Sequence, residues 1–185
     1  MWAVVGLGNP GLRYASTRHN AGFLLVRRVA RAWDVRLKKR RFLTKMAEAV
    51  RDGERVVLAL PQTYMNESGR AVRALLEGLG LSAGRCLVVF DDADLPLGEI
   101  RIRPEGGPGT HRGMASVVAE TGTSSFPRIR LGIGPVAEGE DIADFVLSPF
   151  EEDEKVRFGE SLARAAEAMD LILAGRLDQA MNVYN

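Results

Sequence analysis

The chain holds two histidines, and one of them, His19, lies in the run Thr17-Arg18-His19-Asn20 between a turn-rich loop and a helix-like segment. An imidazole titrates near neutrality, so a histidine there can serve as a general base; it can equally be a surface residue or a helix cap. Three acids crowd into Asp91-Asp92-Ala93-Asp94, directly after an apolar run. Such a cluster can bind magnesium, can be a solvated turn, or can lend one carboxylate to orient a histidine and steady its imidazolium. Asp91 stands where the strand should end and is best placed to point into a site. Asn9, in Gly8-Asn9-Pro10-Gly11, and Asn66, in Pro61-Gln62-Thr63-Tyr64-Met65-Asn66-Glu67-Ser68-Gly69, each follow a strand-like run. A side-chain amide there can polarise a carbonyl or orient a ligand, and Asn66 could also cap the helix that follows. No G-x-S-x-G pattern occurs, and the lone Cys86 reads as core. Any hydrolysis would then use an activated water rather than a serine or cysteine nucleophile.

Two glycine-rich stretches and four arginines bear on ligands that carry phosphate. Gly6-Leu7-Gly8-Asn9-Pro10-Gly11 fits G-x-G-x-x-G after a strand. A dinucleotide site needs the helix to open at the glycines and an acid to end the next strand. Here nine polar or turn-prone residues separate Gly11 from the helical pattern, and Asp34 follows a helix. The motif therefore reads as a tight turn at a strand end, which in an α/β sheet is also where sites form. The second stretch, Gly106-Gly107-Pro108-Gly109-Thr110-His111-Arg112-Gly113, reads as a loop that is mobile or lets backbone approach a ligand. Arg101 and Arg103 share one face of a strand before it, and Arg128 and Arg130 do the same on the next. Alternate arginines on neighbouring strands make either a two-pronged phosphate site or a basic sheet edge.

The elements that must position these residues follow from patterning. A chain of 185 residues, 46% apolar and 26% charged, suits one domain with a packed core. One cysteine excludes a disulfide framework and leaves a cysteine-based zinc site almost no ligands. No apolar run approaches the length of a membrane span, and the first residues carry no basic leader with an apolar core, so the expectation is a cytoplasmic protein. Strands are expected over 2–7, 54–60, 86–90, 100–103 and 128–133, with 42–50 and 54–60 as a hairpin about Asp52-Gly53. Helices are expected over 21–33 with Asn20 as cap, over 67–79, and near 114–121. A last helix is expected from the capping box Ser148-Pro149-Phe150-Glu151 to a stop at Gly175. The stretch 35–50 opens with the basic cluster Lys38-Lys39-Arg40-Arg41. Alternating strands and helices predict a single α/β domain over 1–185, a twisted mixed sheet flanked by helices. Net charge is +1, but residues 1–45 hold eleven Lys and Arg against one acid, while 138–170 hold eleven acids against three Lys and Arg. A separated basic end can attract a polyanion.

Taken in order, these segments resemble bacterial-type peptidyl-tRNA hydrolase over essentially the whole chain. Val5 to Gly11, then Tyr14 and Thr17 to Gly22, look like that family's N-terminal signature; Pro61 to Gly69, Asp91 to Gly98 and Arg128 to Gly134 are similar to its next three motifs. Phe145 to Ser148 and Ala180-Met181-Asn182 complete the series. The resemblance implies hydrolysis of the ester between a peptide and the 3′-terminal ribose of tRNA by an α/β monomer without metal or cofactor. It implies His19 as the base that activates water, Asp91 as its orienting group, and Asn9 and Asn66 as substrate-positioning and oxyanion-stabilising residues. Tyr14, Asn20 and Met65 would line the site, Arg101, Arg103 and Arg130 would grip tRNA phosphate, and His111 and Arg112 would face substrate. The family usually has lysine where this chain has Leu60, and asparagine where it has Arg112, which can donate hydrogen bonds but accept none. Plant relatives that bind RNA and assist splicing supply the alternative, an RNA-binding module with reduced hydrolase activity.

Overall fold

The computed structural model describes all 185 residues. Seven strands run β1 Trp2–Gly6, β2 Lys39–Arg41, β3 Thr44–Arg51, β4 Glu54–Pro61, β5 Cys86–Pro96, β6 Ile100–Arg103 and β7 Arg128–Gly134. They form one sheet in the order β2-β3-β4-β1-β5-β7-β6. The centre, β4-β1-β5-β7, is parallel, and β2, β3 and β6 add antiparallel pairings at the two edges. Six helices cover it: α1 Ala21–Ala32, α2 Ser68–Leu79, α3 Arg112–Thr121, α4 Ile142–Leu147, α5 Glu152–Leu173 and α6 Leu177–Tyr184.

Strand alternation divides the apolar residues between two layers. Trp2 and Val4 of β1, Leu58 of β4 and Val89 of β5 pack under α1, α5 and α6. Ala3, Val5, Ala59 and Val88 face the other way, under α2 and α3. Buried on both faces, the central strands can be nearly all apolar, as the run Cys86 to Phe90 is. Chain direction reverses at β1: the segment after β1 crosses to β4 on one side, and the chain then returns to β5 on the other. In such sheets the crevice opens at the carboxyl ends of the strands, where this switch occurs.

The first glycine motif serves this packing. A Cβ on Gly6 would lie 2.2 Å from the Gly22 carbonyl oxygen, and one on Gly22 would lie 2.3 Å from that of Val89. Only with both positions bare does α1 seat its first turn directly on β1 and β5. That contact presses the preceding loop, with His19, against the end of β5.

Several local expectations shift. Asn20 does not cap α1, because its side chain is committed to Asn9. The expected capping box moves three residues on, to Glu151 and Glu154, which cap α5 reciprocally. Ser148 instead ends the unexpected helix α4, its hydroxyl bonded to the Phe145 carbonyl at 2.7 Å. The helix expected near 114–121 begins at Arg112, with the His111 ring as its cap. The basic cluster forms the exposed edge strand β2, and α6 follows the stop at Gly175.

Candidate active site

A cavity of about 740 Å³ opens at the carboxyl ends of β1, β4 and β5, and Asn9, His19, Met65, Asn66, Asp91, His111 and Arg112 all line it. Asp91 lies at its base, 1% exposed, still paired with β7 through Leu131. Its two oxygens are divided between two imidazoles: Oδ2 is 2.8 Å from His19 Nδ1, and Oδ1 is 3.0 Å from His111 Nε2. Burial alone would raise the Asp91 carboxyl, but the attraction and hydrogen bonds of His111 and His19 outweigh it and hold the group well below the ordinary carboxylate range.

The tautomers follow from the partners. The Met114 backbone N–H donates to His111 Nδ1 at 3.1 Å, so that nitrogen accepts and the His111 proton resides on Nε2, donated to Asp91. His19 donates its Nδ1 proton to the same carboxylate, which leaves a lone pair on Nε2. Nothing in the protein bonds to that nitrogen, and the side chain borders the cavity.

Asn9 and Asn20 interlock. The Asn9 backbone N–H donates to Asn20 Oδ1 at 2.7 Å, and Asn20 Nδ2 donates to the Asn9 carbonyl at 3.0 Å. The Asn9 side-chain oxygen accepts from the Met65 N–H at 2.8 Å, so its NH2 group is the end left for a ligand. Asn66 lies in a 3-10 turn, Met65–Glu67, ahead of α2, and its amide caps nothing. Both amide donors therefore face a cavity that also presents a free imidazole nitrogen. Such an arrangement can act as a base beside an oxyanion pocket.

His19, Asp91 and His111 also make the one group of three donors close enough to hold a metal, their atoms lying within 4.8 Å of one another. Their spacings are those of hydrogen bonds, and the remaining His111 nitrogen is already occupied by Met114. The magnesium reading of the acidic run does not survive the fold, since Asp91 turns to the histidines while Asp92 pairs with Arg130.

The profile of the family described as peptidyl-tRNA hydrolase matches residues 3–185. The chain belongs to the peptidyl-tRNA hydrolase family. It is 46% identical over 186 residues to a peptidyl-tRNA hydrolase of Chloroflexus aggregans, covering 100% of this chain and 99% of that protein. It is 42% identical over 181 residues to one of Geobacillus thermodenitrificans, covering 98% and 97%. A crystal structure of peptidyl-tRNA hydrolase from Acinetobacter baumannii matches with a TM-score of 0.94 at 33% identity, over 100% of this chain and 96% of that one. The family resemblance and the α/β mixed sheet read from the motifs are both borne out.

Within this member of the peptidyl-tRNA hydrolase family, some expected site residues take other places. Asn20 is fully buried behind Asn9 and is outside the cavity lining. Tyr14 and Arg101 are outside the cavity lining; the Arg13 guanidinium covers the Tyr14 ring at 4.7 Å, and Arg101 lies on the edge strand opposite Arg130. His111 borders the cavity, but both its nitrogens are taken by protein. Arg103, Arg112 and Arg130 do line it, Arg130 with its Nε on Asp92 and its terminal nitrogens free of protein partners. Arg128, which the alternation left as either a phosphate prong or part of a basic edge, is buried and donates to the carbonyls of Gly106, Gly107, Ser124 and Phe126, which fixes the glycine-rich loop.

Sequence reasoning missed the wall made by Ile142, Ala143, Val146 and Leu147 of α4. Six residues are too few to show a helical period, and their one local signal, Asp141 capping the Ala143 and Asp144 N–H groups, lies in an acidic stretch that hides it.

Proposed function

We propose that this chain hydrolyses the ester between a peptide, or an N-blocked aminoacyl group, and the 3′-terminal ribose of tRNA, using water activated by His19 and no metal. One observation carries the reading: His19 is held through Nδ1 by a buried carboxylate and offers Nε2 to a cavity that two side-chain amides with unbonded NH2 groups also line. Water gives its proton to Nε2 as its oxygen attacks the ester carbonyl carbon. The NH2 groups of Asn9 and Asn66 take the developing oxyanion. The tetrahedral intermediate collapses, Nε2 returns the proton to the departing ribose oxygen, and free tRNA and the peptide acid result. Asp91 stabilises the transient imidazolium. An ester needs no more than a base and an oxyanion pocket.

Arg103, Arg112 and Arg130 supply positive charge on the rim, suited to the acceptor-end phosphates. Contacts of that kind carry affinity without sequence preference, as an enzyme accepting many tRNAs requires. The α4 wall offers apolar surface to the acyl side, and Tyr64 also lines the cavity. The reading is of a monomer acting in the cytoplasm.

The test is cleavage of diacetyl-lysyl-tRNA by wild type and His19→Ala. Wild type should release the blocked amino acid, and the variant should lose on the order of 10²–10⁴ in rate while still binding tRNA. A chelator should leave the wild-type rate unchanged; a loss restored by added metal would sink the metal-free step. Arg112, at the start of α3 and facing the cavity, favours a second reading. A wild type that binds tRNA in a salt-sensitive way but cleaves nothing would make the chain an RNA-binding member of the family.

A further inference from the structure

His19 stands in a three-residue 3-10 turn, Arg18–Asn20, whose side chains leave in three directions. His19 goes to Asp91 and Asn20 to Asn9, both at the site. Arg18 goes the other way, away from the cavity lining. Its Nε donates to Ser148 Oγ at 3.1 Å, and its two terminal nitrogens donate to the two oxygens of Glu154 at 3.1 and 2.6 Å. The guanidinium lies 4.6 Å from the ring centre of Phe145 and 5.0 Å from that of Phe150. Its backbone N–H donates to the Ser148 carbonyl at 3.0 Å, and Thr17 bridges to Pro149. Its side chain is 6% exposed.

Phe145 belongs to α4, Ser148 ends it, and Glu154 lies in the first turn of α5. Arg18 therefore clamps the helix that walls the cavity to the turn that carries His19. The fork of the guanidinium and its stacking between rings set angle as well as distance, which a single ammonium could not do.

We propose that Arg18 is a positioning residue for the hydrolysis, fixing His19 and the α4 wall in one register so that the base and the acyl-side surface meet the same substrate. The inference rests on the function proposed above for the substrate; its structural half concerns the His19 ring alone. A displacement of about 1 Å at a reacting group costs on the order of 10²-fold in rate. Loss of the clamp also loosens the ring from Asp91, and an imidazolium with less support from its carboxylate is harder to form.

The experiment compares wild type, Arg18→Met, Arg18→Lys and Glu154→Gln. Each is assayed on N-acetyl-aminoacyl-tRNA and on a longer peptidyl-tRNA, with thermal melting to confirm folding. The imidazole protons are followed by nitrogen-edited NMR, where the chain's two histidines give a readable spectrum. Folded Arg18→Met should lose about ten- to a hundred-fold in kcat, and the acid limb of its rate profile should move to lower pH. Its discrimination between the long and the short acyl group should flatten, and the His19 Nδ1 proton signal should shift or broaden while that of His111 stays. Arg18→Lys should recover part of the loss. A folded Arg18→Met with wild-type kcat, pH profile and His19 signal overturns the proposal. If that variant does not fold, Glu154→Gln, which keeps the shape and removes the charge, must show the same changes at smaller size, and their absence overturns it equally. An inert wild type whose His19 signal still depends on Arg18 sinks the hydrolase reading and leaves the positioning of His19 standing.

Discussion

Asp91 and Arg128 are two buried charges on adjacent parallel strands, β5 and β7, 1% and 2% exposed. Both border the same cavity, and neither is paired with an opposite fixed charge. The difference lies in what surrounds them. Asp91 is held by two imidazoles, one of which keeps a lone pair on the cavity side. Arg128 is held by four backbone carbonyls, which exchange nothing. Equal burial thus supports chemistry in one case and architecture in the other. A buried charge bonded to imidazoles can orient a ring nitrogen toward the cavity, whereas one whose partners are peptide oxygens can only hold chain in place.

The largest test crosses the two roles. In Asp91→Asn the amide has one acceptor and one donor end. Met114 pins His111 as an Nε2 donor, so the amide oxygen must face His111 and the NH2 must face His19. His19 Nδ1 then has to accept, its proton moves to Nε2, and the base is lost to the wrong tautomer. The expected result is a rate loss on the order of 10⁴ with a fold close to intact. In Arg128→Met the carbonyls of Gly106, Gly107, Ser124 and Phe126 lose their donor. The expected result is a stability loss of about 3 kcal/mol and a raised KM as the loop loosens, with kcat changed far less. Single-turnover rates and denaturant melts on both variants check the crossing, which fails if Arg128→Met loses rate as Asp91→Asn does.

Acid sharpens the same contrast. The Asp91 carboxyl is lower in the folded protein than in the unfolded chain. Its contribution to stability is therefore complete above the ordinary carboxylate range and is lost as pH falls through the folded value. The gap in denaturant midpoint between wild type and Asp91→Asn should be narrower at about pH 3 than at pH 7, and should close only further into acid. The gap to Arg128→Met should not, because peptide carbonyls do not titrate there. Melts at the two pH values decide it.

The two charges also mark how far sequence reaches. Asp91 was readable because an acid directly after a buried strand in an α/β sheet has few places to point. Arg128 and Arg130 alternate on one strand face and are indistinguishable by period. What separates them is the loop folded over Arg128, brought there from residues 106–107 and 124–126, and no local pattern carries that. The central strands, the 44–61 hairpin and the long helix were legible because each holds its period over many residues. The caps were not. Ser148 and Asn20 are good cap types, but tertiary partners claimed both side chains, Arg18 and Phe145 in one case and Asn9 in the other. For His111, the glycine-rich loop suggests a ligand contact, and only the fold shows that it also caps α3 and bonds Asp91.

The smallest effect concerns Arg112, which shares the cavity rim with neither role. It is exposed at the first position of α3 and hydrogen-bonds to nothing in the protein, so its removal leaves no group unsatisfied and should not alter the melt. A positive charge there can meet a phosphate or a carbonyl but cannot hold water through an acceptor. Arg112→Asn should therefore separate two contributions. If Arg112 contacts tRNA phosphate, the slope of log affinity against log salt should fall by about 1. If the position serves the attacking water, asparagine should raise kcat by a few-fold with affinity little changed. Binding isotherms at several salt concentrations, run beside kcat on the same preparations, distinguish these outcomes. A variant identical to wild type in both would place Arg112 outside the substrate path and leave Arg103 and Arg130 as the rim charges that matter.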